Sequence, residues 1–201
     1  MQVIKVKPYN FGSNSYIVTA DGKNAVVIDC AEPSLFGICK QNNLTPVAVL
    51  LTHGHFDHIG GCGKFFEEGV PVYCGEYEQR LIFSAENRAI FGGVYIPEFK
   101  IFKTLKDGEN ITLAGIDFKV IHTPGHTAGG VCYLAEDCLF TGDTLFKLSV
   151  GRTDLPTGDG KRLIQSVKKL FALEGDFKVY CGHEDETTLD FERENNPYVT
   201  L

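Results

Sequence analysis

The stretch that decides both the fold and the chemistry is LLTHGHFDHIGG, residues 50–61. It follows on from the apolar run VAVLL at residues 47–51, which predicts a buried strand. Within it lie four potential metal ligands: His53, His55, Asp57 and His58. Four such side chains at the end of a buried strand would repel one another or lack hydrogen-bond partners unless they converge on a cation. The stretch therefore predicts a metal site.

Length and composition indicate the class of protein. The chain has 201 residues, of which 43% are hydrophobic and 22% charged, and this is typical of one globular domain over residues 1–201. A net charge of −7 argues against nucleic acid as a partner. The sequence lacks both the apolar run of a signal peptide and the ~18 apolar residues of a membrane span. Seven scattered cysteines, with no C-x-x-C pair, favour the reducing cytoplasm.

The apolar pattern predicts runs of strands with helices between and after them. Strands are predicted at residues 3–6, 15–18, 24–29, 47–51, 70–74, 110–113, 117–121, 131–134, 138–141 and, as the last strand, 177–181. Helices are predicted at residues 33–43, 63–68, 76–87, 159–175 and 186–195. Residues 88–102, interrupted by Gly92, Gly93 and Pro97, are predicted to form a loop over one face. Two sheets packed together, with helices on their outer faces, fit this order.

Three further ligand-type residues follow predicted strands. They are His126, Asp143 and His183, and a glycine precedes each of them. Since loops at strand ends commonly carry binding groups, we expect four loops to meet at one rim of the sheets. Any one of the three alone could equally be a turn residue or a hydrogen-bonded core residue. Together with the cluster at residues 53–58, they favour a metal centre.

Two other polar residues could support the ligands or serve only the local fold. His122 is interpreted as a strand-end residue, or as a hydrogen-bond partner of a ligand, rather than as a ligand itself. Asp29 ends a predicted strand and could accept a hydrogen bond from a ligand imidazole. It could equally do no more than cap a turn.

These motifs resemble the metallo-β-lactamase superfamily. The residues that carry the resemblance are HGHFDH at 53–58, TPGHT at 123–127, TGDT at 141–144 and GH at 182–183. Within the superfamily they look most like the short, single-domain form of the glyoxalase II (hydroxyacylglutathione hydrolase) branch. The resemblance covers nearly the whole chain. It implies an α+β fold, the αββα sandwich of two mixed β-sheets with helices on the outer faces, with the site at one edge between the sheets.

The resemblance also implies how the ligands are shared between two divalent metal ions. His53, His55 and His126 would hold one metal, Asp57, His58 and His183 the other, and Asp143 would bridge them. Zinc is expected ahead of iron or manganese. Two cations ~3.5–4 Å apart can share a hydroxide with a pKa near neutrality and polarise a substrate carbonyl. Asp143 and Asp57 are the candidate catalytic residues, the second being a ligand that could also pass a proton after cleavage.

On this resemblance we expect a dinuclear metallohydrolase that cleaves a small-molecule thioester, S-D-lactoylglutathione or another 2-hydroxyacyl thioester. An aspartate at position 143 argues against a true β-lactamase, because the commonest of those enzymes place a cysteine there. The C-terminal helical segment that longer glyoxalase II enzymes use for glutathione is expected to be absent. Arg152 is the candidate substrate-binding residue, through a bidentate contact with a carboxylate. The alternative is a surface ion pair between Arg152 and Asp154.

A second enzyme class fits part of the same pattern. Residues 151–154, GRTD, resemble a segment of persulfide dioxygenases, in which two histidines and an aspartate hold one iron. His53, His126 and Asp143 would then form a facial triad for a mononuclear iron acting on glutathione persulfide. Residues 155–159, LPTGD, look more like the short hydrolases, so the hydrolase is favoured. A metal-holding module without turnover and a nuclease fit the complete ligand set and the acidic charge less well.

Overall fold

Strands make up most of the regular structure in this computed structural model, which describes residues 1–8, 12–90 and 98–199. The strands are β1 (Gln2–Val6), β2 (Ser15–Thr19), β3 (Asn24–Ile28), β4 (Thr45–Leu50), β5 (Val72–Gly75), β6 (Ile101–Leu105), β7 (Asn110–Leu113), β8 (Ile116–His122), β9 (Val131–Ala135), β10 (Cys138–Gly142), β11 (Leu145–Phe146), β12 (Ser149–Val150), β13 (Lys178–Cys181) and β14 (Thr187–Thr188). The helices are α1 (Ser34–Gln41), α2 (Phe56–Ile59), α3 (Cys62–Glu67), α4 (Gln79–Ile82), α5 (Ala85–Ile90), α6 (Gly160–Phe171) and α7 (Leu189–Asn195). None of the helices in these ranges combines the length and the apolar composition that crossing a bilayer would require.

The strands form two six-stranded sheets and one small hairpin. The first sheet has the order β1-β2-β3-β4-β5-β6, and the second has the order β14-β13-β10-β9-β8-β7. In the first sheet, β1, β2 and β3 pair antiparallel, whereas β3 to β6 pair parallel. In the second, β10 and β13 are parallel and the other neighbours antiparallel. Both sheets are therefore mixed, and the predicted α+β class is confirmed.

Alternating side chains build the layers. In β3, Val26 and Ile28 pack against the second sheet, in one apolar cluster with Phe118 and Phe140. The intervening Val27 faces the other way, into a cluster that includes α1 and α3. A third cluster holds α6 against the outer face of the second sheet. Burying one such side chain contributes about 1.5–3 kcal/mol. The order helix, sheet, sheet, helix explains why the central strands are apolar on both faces.

The structure corrects several predicted boundaries. The helix predicted at 76–87 is broken into α4 and α5, and the Ser84 hydroxyl at the break accepts a hydrogen bond from Asn87 N (3.0 Å). The loop predicted at 88–102 was wrong at both ends, because α5 continues to Ile90 and β6 begins at Ile101. Residues 91–97 lie outside the described residues.

Differences near the C-terminus have local causes. Residues 177–181 were predicted as the last strand, but β14 follows and takes the first residues of the helix predicted at 186–195. Thr188 is extended and caps α7, its hydroxyl accepting from Phe191 N (3.3 Å). The Asp159 carboxylate caps α6, and that helix ends at Phe171, before the end predicted at residue 175. The pattern gave no indication of α2, β11 or β12, which are only two to four residues long.

Candidate metal centre

The seven predicted ligands come together at one edge between the sheets. Each loop that carries them follows a strand: β4 in the first sheet, and β8, β10 and β13 in the second. Three overlapping groups of three have their donor atoms within 4.8 Å of one another in the described part of the chain, and one of them, His53, His58 and Asp143, connects the other two. We call His53, His55 and His126 the first triad, and Asp57, His58 and His183 the second triad. The expected meeting of four loops is what the structure shows.

The short helix α2 explains how one stretch of chain supplies both triads. His55 is extended and precedes α2. Asp57 and His58 lie in the single turn of the helix. The change from extended to helical backbone sends the side chains before and after Phe56 in different directions. Close sequence spacing therefore serves two neighbouring groups of ligands rather than one.

Asp143 lies between the two triads. Its Oδ1 is 3.3 Å from His58 Nε2, and its Oδ2 is 3.4 Å from the Nε2 atoms of both His126 and His183. Within the first triad, His126 Nε2 is 2.9 Å from His55 Nδ1 and 3.2 Å from the Nε2 of His53. Within the second, Asp57 Oδ2 is 3.3 Å from His183 Nε2. Oδ1 therefore faces the second triad, and Oδ2 lies against one histidine of each triad. A carboxylate in contact with both groups is suited to a bridging ligand.

The donor atoms fit bound cations. His58 Nε2 and Asp143 Oδ1 are buried 3.3 Å apart, and neither forms a hydrogen bond of ordinary geometry within the described part of the chain. Leaving buried polar atoms unsatisfied costs about 1–3 kcal/mol each, whereas a cation between them would satisfy both. Imidazole nitrogens and carboxylate oxygens are donors that suit zinc, iron and manganese. The chemistry of the site therefore supports a metal centre without choosing among these metals.

Supporting residues fix the orientation of the ligand imidazoles. The Asp29 carboxylate accepts from His58 Nδ1 (2.8 Å) and from both the amide and the hydroxyl of Thr52 (2.8 Å each). Of the two interpretations of Asp29, the structure therefore supports contact with a ligand. The carbonyl of Arg152 similarly accepts from His126 Nδ1 (2.7 Å). Because carboxylate and carbonyl oxygens only accept, each contact places the remaining proton of a neutral imidazole on Nδ1, so that Nε2 of the neutral ring can donate its lone pair to a cation.

We expect Asp29→Ala to weaken metal binding by about 10–100-fold, since the His58 ring loses the partner that fixes its orientation. The measurement is competition with a chelator for bound zinc, on protein whose fold is checked by circular dichroism. Asp117→Ala, a change at an exposed carboxylate, is the matched control. Equal zinc affinity in the two variants would show that Asp29 has no such role.

Without a bound cation, histidine pKa values are shifted in opposite directions in the two triads. Burial and neighbouring imidazoles lower the pKa of His53 well below its usual value and that of His55 to about 3. Burial also acts to lower the pKa of His58 and His183, but carboxylates outweigh it, raising the first well above its usual value and the second to about 9. Burial would raise the pKa of Asp143, but the imidazoles around it hold it well below its usual range. Protons on the second triad thus partly replace the positive charge of the metals.

Arg152 and His122 lie outside the donor groups. The Arg152 side chain is 62% exposed and makes a bidentate ion pair with Asp154 (2.7 and 2.6 Å), the alternative foreseen for it. Its role with substrate stays a prediction. His122 ends β8, and its Nε2 lies 3.0 Å from the carbonyl of Ala128. This agrees with its interpretation as a strand-end residue rather than a ligand.

Sequence reasoning missed Glu78. It was predicted to lie within a helix, but it precedes α4 and is fully buried. Its carboxylate accepts from Gly54 N (2.8 Å) and Thr127 Oγ1 (3.0 Å), each of which lies next to predicted metal ligands in the chain. No local pattern distinguishes Glu78 from the more exposed Glu76, because its partners are 24 and 49 residues distant.

Comparisons of sequence agree with this geometry. A family model described as the metallo-beta-lactamase superfamily matches residues 8–183. A protein of Haemophilus influenzae named hydroxyacylglutathione hydrolase GloC is 33% identical over 198 residues, which cover 94% of this chain and 93% of that protein. The resemblance predicted from the motifs is thereby confirmed.

Comparisons of structure give three informative neighbours. BLEG-1 B3 metallo-beta-lactamase superposes with a TM-score of 0.92 and 34% identity, covering 98% of this chain and 99% of that one. TTHA1623 in a di-iron-bound form has a TM-score of 0.83 and 35% identity, with 98% and 100% covered. ETHE1 from Myxococcus xanthus has a TM-score of 0.82 and 25% identity, with 98% and 84% covered. The predicted αββα sandwich is confirmed by these likenesses.

Proposed function

Because this chain belongs to the metallo-beta-lactamase superfamily, we propose that it is a dinuclear metallohydrolase that cleaves a thioester, with S-D-lactoylglutathione or another 2-hydroxyacyl thioester as its substrate. The observation that carries the proposal is the position of Asp143, whose two carboxylate oxygens lie against both triads. The relative named hydroxyacylglutathione hydrolase, which matches over nearly its full length, supports the thioester. The di-iron form of TTHA1623 supports a pair of metals.

The residues of the chain have separate roles in this reaction. The first triad would hold one cation, the second triad the other, and Asp143 would contact both. When bound, such cations supply Lewis acidity, which lowers the pKa of water towards 7 and polarises a carbonyl. The three residues of the first triad are buried, so this side of the centre excludes bulk water. Low dielectric around the reacting carbonyl strengthens every electrostatic interaction there.

Substrate approaches from the side of the second triad. The His183 side chain is 36% exposed and that of Asp57 is 16% exposed, whereas that of His58 is fully buried. The Phe146 ring lies 5.9 Å from the His183 ring and adds an apolar contact at this opening. Asp57 is thus a carboxylate placed near both the centre and solvent. It is suited to passing a proton to the departing thiolate.

The test of the proposed function is a direct comparison of substrates on metal-loaded protein. Thiol release from S-D-lactoylglutathione should exceed both oxygen uptake with glutathione persulfide and ring opening of a β-lactam, by at least about 100-fold in kcat/KM, or ~2.7 kcal/mol in transition-state binding. Glutathione persulfide and a β-lactam are included because ETHE1 and BLEG-1 B3 metallo-beta-lactamase are among the structural neighbours. Oxygen uptake without thioester cleavage would favour the mononuclear iron persulfide dioxygenase.

Arg152→Ala should raise KM for S-D-lactoylglutathione by about tenfold and leave kcat within about twofold. A charge-assisted contact contributes about 1.5–3 kcal/mol, and part of this is lost because Arg152 must leave Asp154 to reach a substrate carboxylate. Steady-state kinetics provide the measurement, with Arg162→Ala as the control at another exposed arginine. An unchanged KM would leave Arg152 with only its surface ion pair.

A further inference from the structure

Glu78 is a buried carboxylate outside the ligand set, and its contacts do not serve the element to which it belongs. It is the residue before α4, and its side chain forms no capping hydrogen bond with that helix. Both oxygens are directed to other loops instead. Oε1 accepts from Gly54 N and Oε2 from Thr127 Oγ1. The amide of Gly129 also donates to this carboxylate.

The partners of Glu78 lie next to all three ligands of the first triad. Gly54 separates His53 from His55, and Thr127 follows His126. The close approach requires glycine at position 54, because a Cβ there would lie 2.4 Å from Ile82 Cγ1. The carbonyl of Gly54 is also held, by the buried amide of Asn87 (2.7 Å). Both polar groups of this residue are therefore fixed by side chains from the segment after β5.

Burying the Glu78 carboxylate at this position costs folding free energy. Burial raises the pKa of Glu78 to about 7 even though three hydrogen bonds act to lower it. Its negative charge lies beside the first triad, whose three members are imidazoles, so that Asp143, shared with the second triad, is the one predicted ligand that would bring negative charge to a cation there. A second anion nearby would offset a further part of that charge.

We infer that Glu78 positions the first triad, by tying the Gly54 turn to the Thr127 loop. It is a positioning residue, because it acts through the backbone on either side of the ligands and contacts none of them. The inference rests on the metal centre of the proposed function, but not on the identity of the substrate. Glu78→Gln keeps the size of the side chain, removes its charge, and leaves an amide donor facing a backbone N–H. It should weaken zinc binding at the first triad by about tenfold and change zinc binding at the second triad less than twofold.

The experiment measures both zinc affinities by chelator competition, together with thermal unfolding of the metal-free protein. Glu192→Gln is the matched control, since Glu192 is also fully buried and accepts from Thr187 Oγ1, Leu148 N and Asn196 Nδ2. It should lower the melting temperature without separating the two zinc affinities. Thr127→Val removes one partner of Glu78 at nearly constant volume and should weaken the same zinc site. Thr127→Ser keeps the hydroxyl and should restore that site to wild-type affinity.

The inference is overturned if Glu78→Gln and Thr127→Val bind both zinc ions as the wild type does. It is equally overturned if both sites weaken together and in proportion to the melting temperature, as a purely structural role would require. Should Glu78→Gln fail to fold, the Val and Ser variants at position 127 decide the matter alone. Wild-type protein that binds two zinc ions without cleaving the thioester would refute the proposed function. The zinc affinities would still decide the role of Glu78.

Discussion

Asp143→Ala should reduce kcat/KM for S-D-lactoylglutathione by at least about a thousandfold. The carboxylate is 9% exposed, and its oxygens lie 3.3–3.4 Å from imidazoles of both triads. Its removal separates the two halves of the centre and leaves His58, His126 and His183 without the anion between them. Lewis-acid stabilisation of the transition state amounts to several kcal/mol, and each 1.36 kcal/mol is a factor of ten in rate.

Steady-state kinetics and metal analysis of the same preparation separate the causes of this loss. Asp117→Ala, at an exposed carboxylate on β8, should retain wild-type activity and metal content. Asp143→Ala should contain fewer than two metals per chain. A variant that keeps more than a tenth of the activity would show that Asp143 does not join the triads in catalysis.

Removal of the metals should lower the melting temperature by about 15–30 °C. At free metal a thousand times above Kd, each site stabilises the native state by about 4 kcal/mol, and two sites by about 8 kcal/mol. In a protein of this size, 1 kcal/mol corresponds to about 2–4 °C. Thermal unfolding with and without a chelator measures the difference. A difference below about 5 °C would contradict two tightly held metals, and Asp143→Ala should show a smaller difference than the wild type.

The difference in melting temperature between metal-loaded and metal-free protein should widen as the pH rises from 6.5 to 9. In the metal-free protein the pKa of His183 is raised from 6.5 to about 9 by Asp143 and Asp57. The stability that its protonation contributes is therefore complete below pH 6.5 and is lost as the pH rises to about 9. Metal binding requires deprotonated ligands, so the metal-loaded protein changes in the opposite sense. The lowered pKa of Asp143 has no effect in this window, because it alters stability only in acid.

The convergence of the seven candidate ligands was predictable because these residues are dense along the chain or follow recurring strand ends. His53, His55, Asp57 and His58 crowd into six positions after a clearly apolar strand. For His126, Asp143 and His183, a strand followed by glycine gave the same signal three times. Two sheets with helices outside them also followed from the sequence, because the predicted strands come in runs with helices between and after them.

The supporting contacts could not be predicted in the same way. Glu78 meets Gly54 and Thr127 through tertiary folding, and a buried glutamate has no periodicity that distinguishes it from an exposed one. For Asp29, the sequence offered two equal interpretations, and only the 2.8 Å contact with His58 separates them. Short elements such as α2 contain too few residues for a periodic pattern, although α2 decides which ligands belong to which triad.

The claim on which the account depends is that seven side chains hold a pair of metals, and anomalous diffraction from crystals of the purified protein tests it most directly. Data collected at the absorption edges of zinc and iron should show two peaks of comparable occupancy. One should lie against the first triad and one against the second, with Asp143 contacting both. A single iron peak, or peaks outside these seven donors, would contradict the dinuclear centre and the hydrolase built on it.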